Sequence, residues 1–212
     1  MHFINYSLKI DNKILIDNLN LSFKKNSINH LLGSNGVGKS CFAKSLVGLL
    51  DYSGNIEGNN ISDMILISSK SNVPLDLTLK DIIKFLRIKF DQERVEYFFK
   101  LLNLENIQQD LKIKKMSDGQ KQKIKIFCFL ISMPKIIILD EFTSALDKKT
   151  SIELYKFFNE FIRDNNVMCI NITHNLSDIE YMIGNYYLFS NKTITKIDSK
   201  EEIIEKYIKG GI

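Results

Sequence analysis

The stretch that most constrains this chain is "GSNGVGKS", which runs from Gly33 to Ser40. It matches the pattern G-x-x-x-x-G-K-[ST] in full; the apolar segment "SINHLLG" leads into it, and apolar residues at helical spacing follow it. Glycines allow a tight strand-to-helix turn, in which successive backbone N–H groups and the positive end of the helix face one anion. The sequence therefore predicts a phosphate-binding loop, against the alternative of a merely glycine-rich turn.

The lysine and serine of this loop predict binding of a nucleoside triphosphate with Mg²⁺. Lys39 can reach the β- and γ-phosphates, and the Ser40 hydroxyl can bind the metal. Cys41 is expected to be a packing residue whose N–H lies near the α-phosphate. We expect nucleotide contacts from Gly33, Ser34, Asn35, Gly36, Val37, Gly38, Lys39, Ser40 and Cys41.

A second stretch, "IIILDE", ends in two carboxylates. Its β-branched residues do not alternate with polar ones, as expected of a central parallel strand that is covered on both faces. At the strand end, Asp140 can hold Mg²⁺ and Glu141 can activate a water molecule for attack on a phosphate. A strand that simply ends in an acidic turn is the alternative, and the phosphate-binding loop makes it the weaker one.

Strand-like and helix-like segments alternate along the 212 residues, which predicts an α/β fold with a mainly parallel sheet flanked by helices. The first two strand-like segments alternate polar and apolar residues and are assigned to an N-terminal antiparallel β subdomain. We expect a single domain over 1–212. Its core would comprise about 1–69 and 134–212, and a helical subdomain would be inserted at about 70–133.

Charge, cysteines and hydropathy exclude several other classes. The net charge of +4 comes from scattered lysines, so no nucleic-acid partner is expected. Cys41, Cys128 and Cys169 are far apart in sequence, which argues against a disulfide framework and a zinc site. With no signal peptide and no apolar run of ~20 residues, the chain is expected to be soluble.

Three further stretches resemble one family, the ATP-binding cassette (ABC) ATPases, and the resemblance covers essentially the whole chain. "MSDGQ", Met116 to Gln120, is similar to the L-S-G-G-Q signature of that family and stands where a helix begins. "SALD", 144–147, resembles the family's D-loop just after the acidic pair, and His174 in "NITHN" stands where the family has a switch histidine.

The resemblance implies a head-to-tail pair of cassettes with two ATP molecules between them. The signature residues Ser117, Gly119 and Gln120 would contact the γ-phosphate bound by the partner cassette. Ser144 and Asp147 would belong to the D-loop, and His174 would orient Glu141. A histidine taken alone is more often an ordinary loop or core residue, but the place of His174 after a buried strand and near the γ-phosphate end favours the switch role, in which it can hydrogen-bond phosphate and orient Glu141.

Tyr6, upstream of the phosphate-binding loop, matches the family's aromatic residue that stacks on adenine. A core-facing strand residue is the alternative.

Three positions depart from the family pattern. Ser69 stands where a glutamine usually contacts Mg²⁺ and water, and Phe142 replaces a proline after the acidic pair. Asp118 occupies a signature position where glycine is usual. Its carboxylate would either repel the partner's ATP or cap the helix that follows.

The resemblance predicts the ATP-binding and hydrolysing subunit of a membrane transporter, with an exporter favoured. A separate transmembrane subunit would bind near residues 70–77 and the helices that follow. The chain would then be cytoplasmic and peripheral on the inner face of the cell membrane. The alternative is a soluble ATPase of the same family that drives assembly of a cofactor or protein complex.

Overall fold

The computed structural model describes residues 1–58, 60–69 and 73–210. The strands are β1 His2–Ile10, β2 Lys13–Ser22, β3 Ile28–Leu32, β4 Ser53–Glu57, β5 Met64–Ser68, β6 Ile136–Asp140, β7 Met168–Ile172, β8 Gly184–Ser190 and β9 Thr193–Ile197. The helices are α1 Lys39–Leu46, α2 Leu79–Lys89, α3 Gln92–Leu101, α4 Asp118–Leu130, α5 Lys148–Asp164, α6 Leu176–Tyr181 and α7 Lys200–Gly210. In these ranges, no helix is long and apolar enough to cross a lipid bilayer.

The strands form two sheets. The larger has six strands in the order β5-β6-β7-β3-β8-β9, parallel except for β9, which runs antiparallel to β8. The smaller is antiparallel, with the order β2-β1-β4. The predicted α/β fold with an antiparallel N-terminal sheet is thus confirmed.

The strand β6 shows why the apolar run lacks alternation. Ile137 and Leu139 belong to an apolar cluster shared with the helices α2 to α5. Ile136 and Ile138 belong to a second cluster, shared with α1 and the antiparallel sheet. Both faces of the strand are therefore buried, and the carboxyl end of β6 emerges between two packed layers.

Three helices lie between β5 and β6, where the helical insertion was predicted. Local caps fix their starts: Thr78 and Asp81 form a capping box at α2, and the Asp91 side chain accepts a hydrogen bond from the Arg94 N–H at α3. Apolar residues of α2, α3 and α4 pack in the same cluster as α5. Lys70, which follows Ser69, lies outside the described residues.

Tyr6 corrects one prediction. Its side chain is 0% exposed, and its ring packs edge-on against Phe3 and Phe42, with centroid separations of 5.3 and 5.9 Å. The hydroxyl oxygen lies 2.6 Å from Oγ of Ser45, and burial raises the pKa of Tyr6. A ring without exposed surface cannot stack on a nucleotide base, so the adenine assignment was wrong and the core alternative holds.

Candidate active site

The glycine loop joins the end of β3 to the start of α1, as the sequence predicts. A Cβ at Gly33 would lie 2.6 Å from the Phe189 carbonyl oxygen, so only glycine allows this approach to β8. Gly38 has φ 118°, which only glycine adopts readily. The ammonium group of Lys39 donates to the Gly33 and Ser34 carbonyl oxygens at 2.6 and 3.0 Å. The loop thus holds its lysine close to its own backbone.

A cavity of about 290 Å³ lies beside this loop. Besides loop residues and Glu141, it is lined by three residues that the sequence reasoning missed: Ile10, Lys13 and Leu15. Leu15 also packs against Gly38, where a Cβ would lie 3.1 Å from it. Their alternating pattern predicted strands, but only the folding of the antiparallel sheet over the loop reveals this contact.

Asp140 at the end of β6 has the chemistry of a Mg²⁺ ligand. Its side chain is 7% exposed, and burial raises its pKa, while a hydrogen bond with Ser40 and the charge of Lys39 oppose the rise. Among the described residues, Oδ1 of Asp140 is buried without a hydrogen-bond partner. A carboxylate oxygen without a partner beside a serine hydroxyl suits a hard divalent cation, so Ser40 and Asp140 fit Mg²⁺.

Glu141 and His174 meet at the ends of neighbouring strands. Nδ1 of His174 lies 3.0 Å from Oε1 of Glu141. The Glu141 N–H donates to the Ile172 carbonyl oxygen at 2.9 Å, and Glu141 has φ 54°, a left-handed conformation unusual for this residue type. Backbone strain of this kind is found at functional sites, where the surrounding fold imposes it. The structure thus brings the two predicted catalytic side chains together at the cavity that Glu141 lines.

The signature stretch forms the start of α4. Ser117 is the N-cap, its Oγ accepting from the Gln120 N–H at 3.3 Å, and the Gln120 side chain accepts from the Ser117 N–H at 3.1 Å. The alternative that Asp118 caps this helix is therefore wrong, because Ser117 takes that position. Asp118 is exposed, and its Oδ1 lies 3.2 Å from the ammonium group of Lys121.

Gly119 is buried, and no side chain fits at this position. A Cβ on Gly119 would lie 2.8 Å from Oγ1 and 2.9 Å from Cγ2 of Thr150, in the first turn of α5. Oγ1 of Thr150 donates to Asp147 at 2.8 Å, and Asp147 also caps α5 by accepting from the Thr150 N–H at 2.9 Å. These hydrogen bonds lower the pKa of Asp147. The signature helix therefore packs against the helix that follows the D-loop.

Ser69 follows β5 and donates its N–H to the Asp140 carbonyl oxygen at 3.2 Å. It lines a cavity of about 160 Å³ together with Glu141, Asp118 and Ser144. Lys125, which the sequence reasoning missed, is nearly buried in the wall of this cavity and donates to the Ser68 carbonyl oxygen at 3.1 Å. Burial lowers the pKa of Lys125. The sequence feature that could have identified Lys125 is a lysine within the apolar run of α4.

The arrangement has recognisable relatives. The sequence model of the ABC transporter family matches residues 16–144. The "Probable peptide export ATP-binding protein YydI" of Bacillus subtilis (strain 168) is 44% identical over 209 residues, with 98% of this chain and 99% of that protein covered. The "Energy-coupling factor transporter ATP-binding protein EcfA" of Pediococcus pentosaceus is 32% identical over 198 residues, with 84% and 70% covered.

The fold has a close structural counterpart in cbiO1 from Clostridium perfringens, part of the ABC transporter complex cbiONQ. The two structures superpose with a TM-score of 0.82 at 22% identity, and the match covers 98% of this chain and 91% of cbiO1. The family match and the curated relatives show more than the fold. The chain belongs to the ABC transporter family, as an ATP-binding subunit with ATPase activity of the kind that works with a transmembrane subunit.

Proposed function

We propose that this chain binds Mg²⁺–ATP in the 290 Å³ cavity and hydrolyses it to energise peptide export through a separate transmembrane subunit. The contact between Glu141 and His174 at the ends of β6 and β7 carries this proposal, because Glu141 also lines the loop cavity and so joins a general base to a triphosphate site.

The phosphates are bound by backbone N–H groups of the glycine loop and by Lys39. The Lys39 ammonium group exchanges its carbonyl contacts at Gly33 and Ser34 for phosphate oxygens, which are stronger acceptors because they are charged. Ser40 and Asp140 hold Mg²⁺, which when bound offsets charge on the β- and γ-phosphates.

The adenine base of ATP packs against the aliphatic side chains of Ile10 and Leu15. Both side chains line the loop cavity, whereas the ring of Tyr6 is enclosed in the core. Contact with apolar side chains stabilises a bound adenine because it buries the faces of the ring.

Glu141 accepts a proton from the attacking water or orients it, and His174 fixes the carboxylate. An ionised carboxylate is a suitable base at this place because a hydrogen bond from His174 restricts its rotation. Lys39 stabilises the charge that builds on the phosphate in the transition state, and Mg²⁺ held by Ser40 and Asp140 would add to this stabilisation.

A second copy supplies the signature residues Ser117, Gly119 and Gln120. None of the three is among the described residues that line the loop cavity, and α4 begins at the surface with Ser117 exposed. A helix N-terminus of this kind suits an anion that approaches from outside the chain. Asp147, the N-cap of α5, accepts a hydrogen bond from Thr150, which packs against Gly119, and Ser144 lines a cavity with Asp118. Ser144 and Asp147 therefore contact the partner in this arrangement.

An apolar groove of about 480 Å³ on the helical part of the chain receives a cytosolic segment of the transmembrane subunit. It is lined mainly by apolar side chains, among them Val73, Leu77, Phe85, Leu86, Phe90 and Phe129. Phe85 is 64% exposed, which is unusual for a large aromatic ring and typical of a contact surface. This contact places the chain on the inner face of the membrane.

Export of a peptide is the favoured direction because the relative at 44% identity carries that description over nearly its full length. Relatives described as importers, such as the "Zinc import ATP-binding protein ZnuC" of Rickettsia conorii, are 31% identical.

The test is co-purification of this chain with a multi-span membrane protein from the membranes of its own cells. We expect Phe85→Asp to abolish capture of the membrane protein and to remove ATP-dependent peptide efflux, while ATP binding stays unchanged. Leu49→Asp is the matched control, because Leu49 is 66% exposed and lies outside the groove. Equal capture by the two variants would contradict the docking site, and capture without peptide efflux would contradict the cargo.

A further inference from the structure

Asp178, in the first turn of α6, is a carboxylate with 0% exposure. Its Oδ1 accepts hydrogen bonds from Oγ1 of Thr143 at 2.8 Å and from the Tyr155 hydroxyl at 2.7 Å. Its Oδ2 accepts from Nδ2 of Asn171 at 3.3 Å. Among the described residues, no ion pair includes Asp178. Neutral donors alone therefore compensate for the burial of this group.

Burying a carboxylate without a cation lowers the free energy of unfolding, and hydrogen bonds offset this loss only if their donors are held in place. Burial and the hydrogen bond to Asp178 raise the pKa of the Tyr155 phenol. Thr143 is likewise buried. Both hydroxyl donors are therefore enclosed in the core beside the carboxylate.

The network continues from Asn171 to His30 of β3. Nδ2 of Asn171 lies 3.2 Å from Nδ1 of His30, and Nε2 of His30 lies 2.9 Å from the Met182 carbonyl oxygen. Because the amide donates to Nδ1, the proton of the neutral ring is on Nε2 and is donated to Met182. Burial lowers the pKa of His30 to about 4, so the ring stays neutral near pH 7. Both ends of α6 are thus bound to the sheet.

The positions of these residues along the chain link the network to the chemistry. Thr143 follows Glu141 by two residues, and Asp178 follows His174 by four. The hydrogen bond between Thr143 and Asp178 therefore closes a bridge directly behind the contact of Glu141 with His174. Movement of either segment would change the 3.0 Å separation of the two catalytic side chains.

We propose that Asp178 is a positioning residue for ATP hydrolysis, which holds the segments of Glu141 and His174 at their working distance through Thr143 and Asn171. This inference rests on the proposed roles of Glu141 and His174. Asp178 acts through these two residues and does not touch the substrate. A displacement of reacting groups by about 1 Å can lower an enzyme rate up to about 100-fold.

The first test is Asp178→Asn in the full-length chain. The new amide places an N–H₂ among groups that already donate, so one of the three hydrogen bonds is lost. We expect the hydrolysis rate to fall about tenfold or more, and ATP affinity to remain within about twofold. In a His174→Ala background, Asp178→Asn should lower the rate less than about twofold, because the contact it supports is already absent. Equal losses in both backgrounds, or a loss of ATP affinity, would overturn the proposal.

A second pair of variants guards against misfolding. Thr143→Val removes one donor from Asp178 while preserving shape, and Thr143→Ser retains the hydroxyl. We expect only the valine variant to lose hydrolysis in the same way as Asp178→Asn. Identical rates for the two variants would contradict the bridge between Thr143 and Asp178.

A readout independent of activity separates this proposal from the assigned chemistry. The chain has three histidines, His2, His30 and His174, so ring signals in nuclear magnetic resonance spectra are few enough to assign. Asp178→Asn should shift the His174 signal and leave that of His2 unchanged. Hydrolysis of ATP at the wild-type rate by Glu141→Gln and His174→Ala would contradict the catalytic roles of these two residues. An unshifted His174 signal in Asp178→Asn would instead overturn the positioning role of Asp178.

Discussion

The phosphate-binding half of the site and the signature half are constructed differently. Lys39 and Asp140 are 6% and 7% exposed: Lys39 begins α1 directly after β3, and Asp140 ends β6, a strand that is covered on both faces. Ser117 and Asp118, by contrast, are exposed at the start of α4, and their hydrogen bonds stay within one helical turn. Burial in the core fixes the first half, and the second half is a capped helix start exposed at the surface.

The largest effects are expected in the buried half. Lys39→Ala should weaken ATP binding by about 10- to 100-fold, because a charged hydrogen-bond donor is lost. Glu141→Gln should retain ATP and lower hydrolysis by about 10²- to 10⁴-fold, since the base acts in the chemical step. ATP affinity and steady-state hydrolysis distinguish the two. Hydrolysis at the parental rate by Glu141→Gln would remove that carboxylate from the mechanism.

A smaller effect should follow from Gly119→Ala, which forces a methyl group against Thr150. Overpacking of this kind costs about 1–3 kcal/mol, measurable by denaturant unfolding. Thr150→Ala removes both atoms closer than 3.0 Å, so the double variant should regain most of the stability.

Hydrolysis by the double variant then sharpens the comparison between the halves. If stability returns and hydrolysis does not, Gly119 is also needed towards the partner's nucleotide. If both return together, packing against Thr150 is its whole contribution.

Asp118→Asn tests whether charge at the signature opposes closure of the pair. Lys121 lies beside this carboxylate and solvent screens both groups, so an effect of at most about 1 kcal/mol is expected. The variant in a Glu141→Gln background should form the ATP-bound dimer at up to about fivefold lower ATP concentration, most clearly at low salt. Dimer formation that does not change at either ionic strength would show that the charge is irrelevant to closure.

The smallest effect is expected for Ser69→Ala. The Ser69 backbone N–H makes the contact with Asp140, and alanine keeps that N–H. Hydrolysis should therefore change by less than about twofold, within the range of ordinary surface substitutions. A large decrease in a steady-state assay would show that the Ser69 hydroxyl itself contacts the metal or the water.

The sequence alone determined the glycine loop, the acidic strand and the fold class. These features are local: a strand, a glycine turn and a helix start follow one another within a few residues, and the apolar run of β6 reflects burial of both its faces. The position of His174 at the end of β7 followed from the same strand-and-loop order. Parallel neighbouring strands end at one edge, which is why residues over 100 positions apart along the chain, such as Leu31 and Ile172, meet there.

The tertiary structure decided which side chains of β1 face the core. Asn5 has φ 50°, and the pairing of β1 with β2 shifts register between Phe3 and Tyr6. Such a bulge reverses the alternation of inward and outward residues, so Tyr6 turns into the core and Ile10 reaches the loop cavity. Tyr6, Leu8 and Ile10 alternate in the sequence, but which face of the sheet they occupy depends on the pairing of β1 with its neighbours rather than on the residues of one strand. The Asp178 network has the same origin, since its donors come from separate elements that meet only after the sheet has formed.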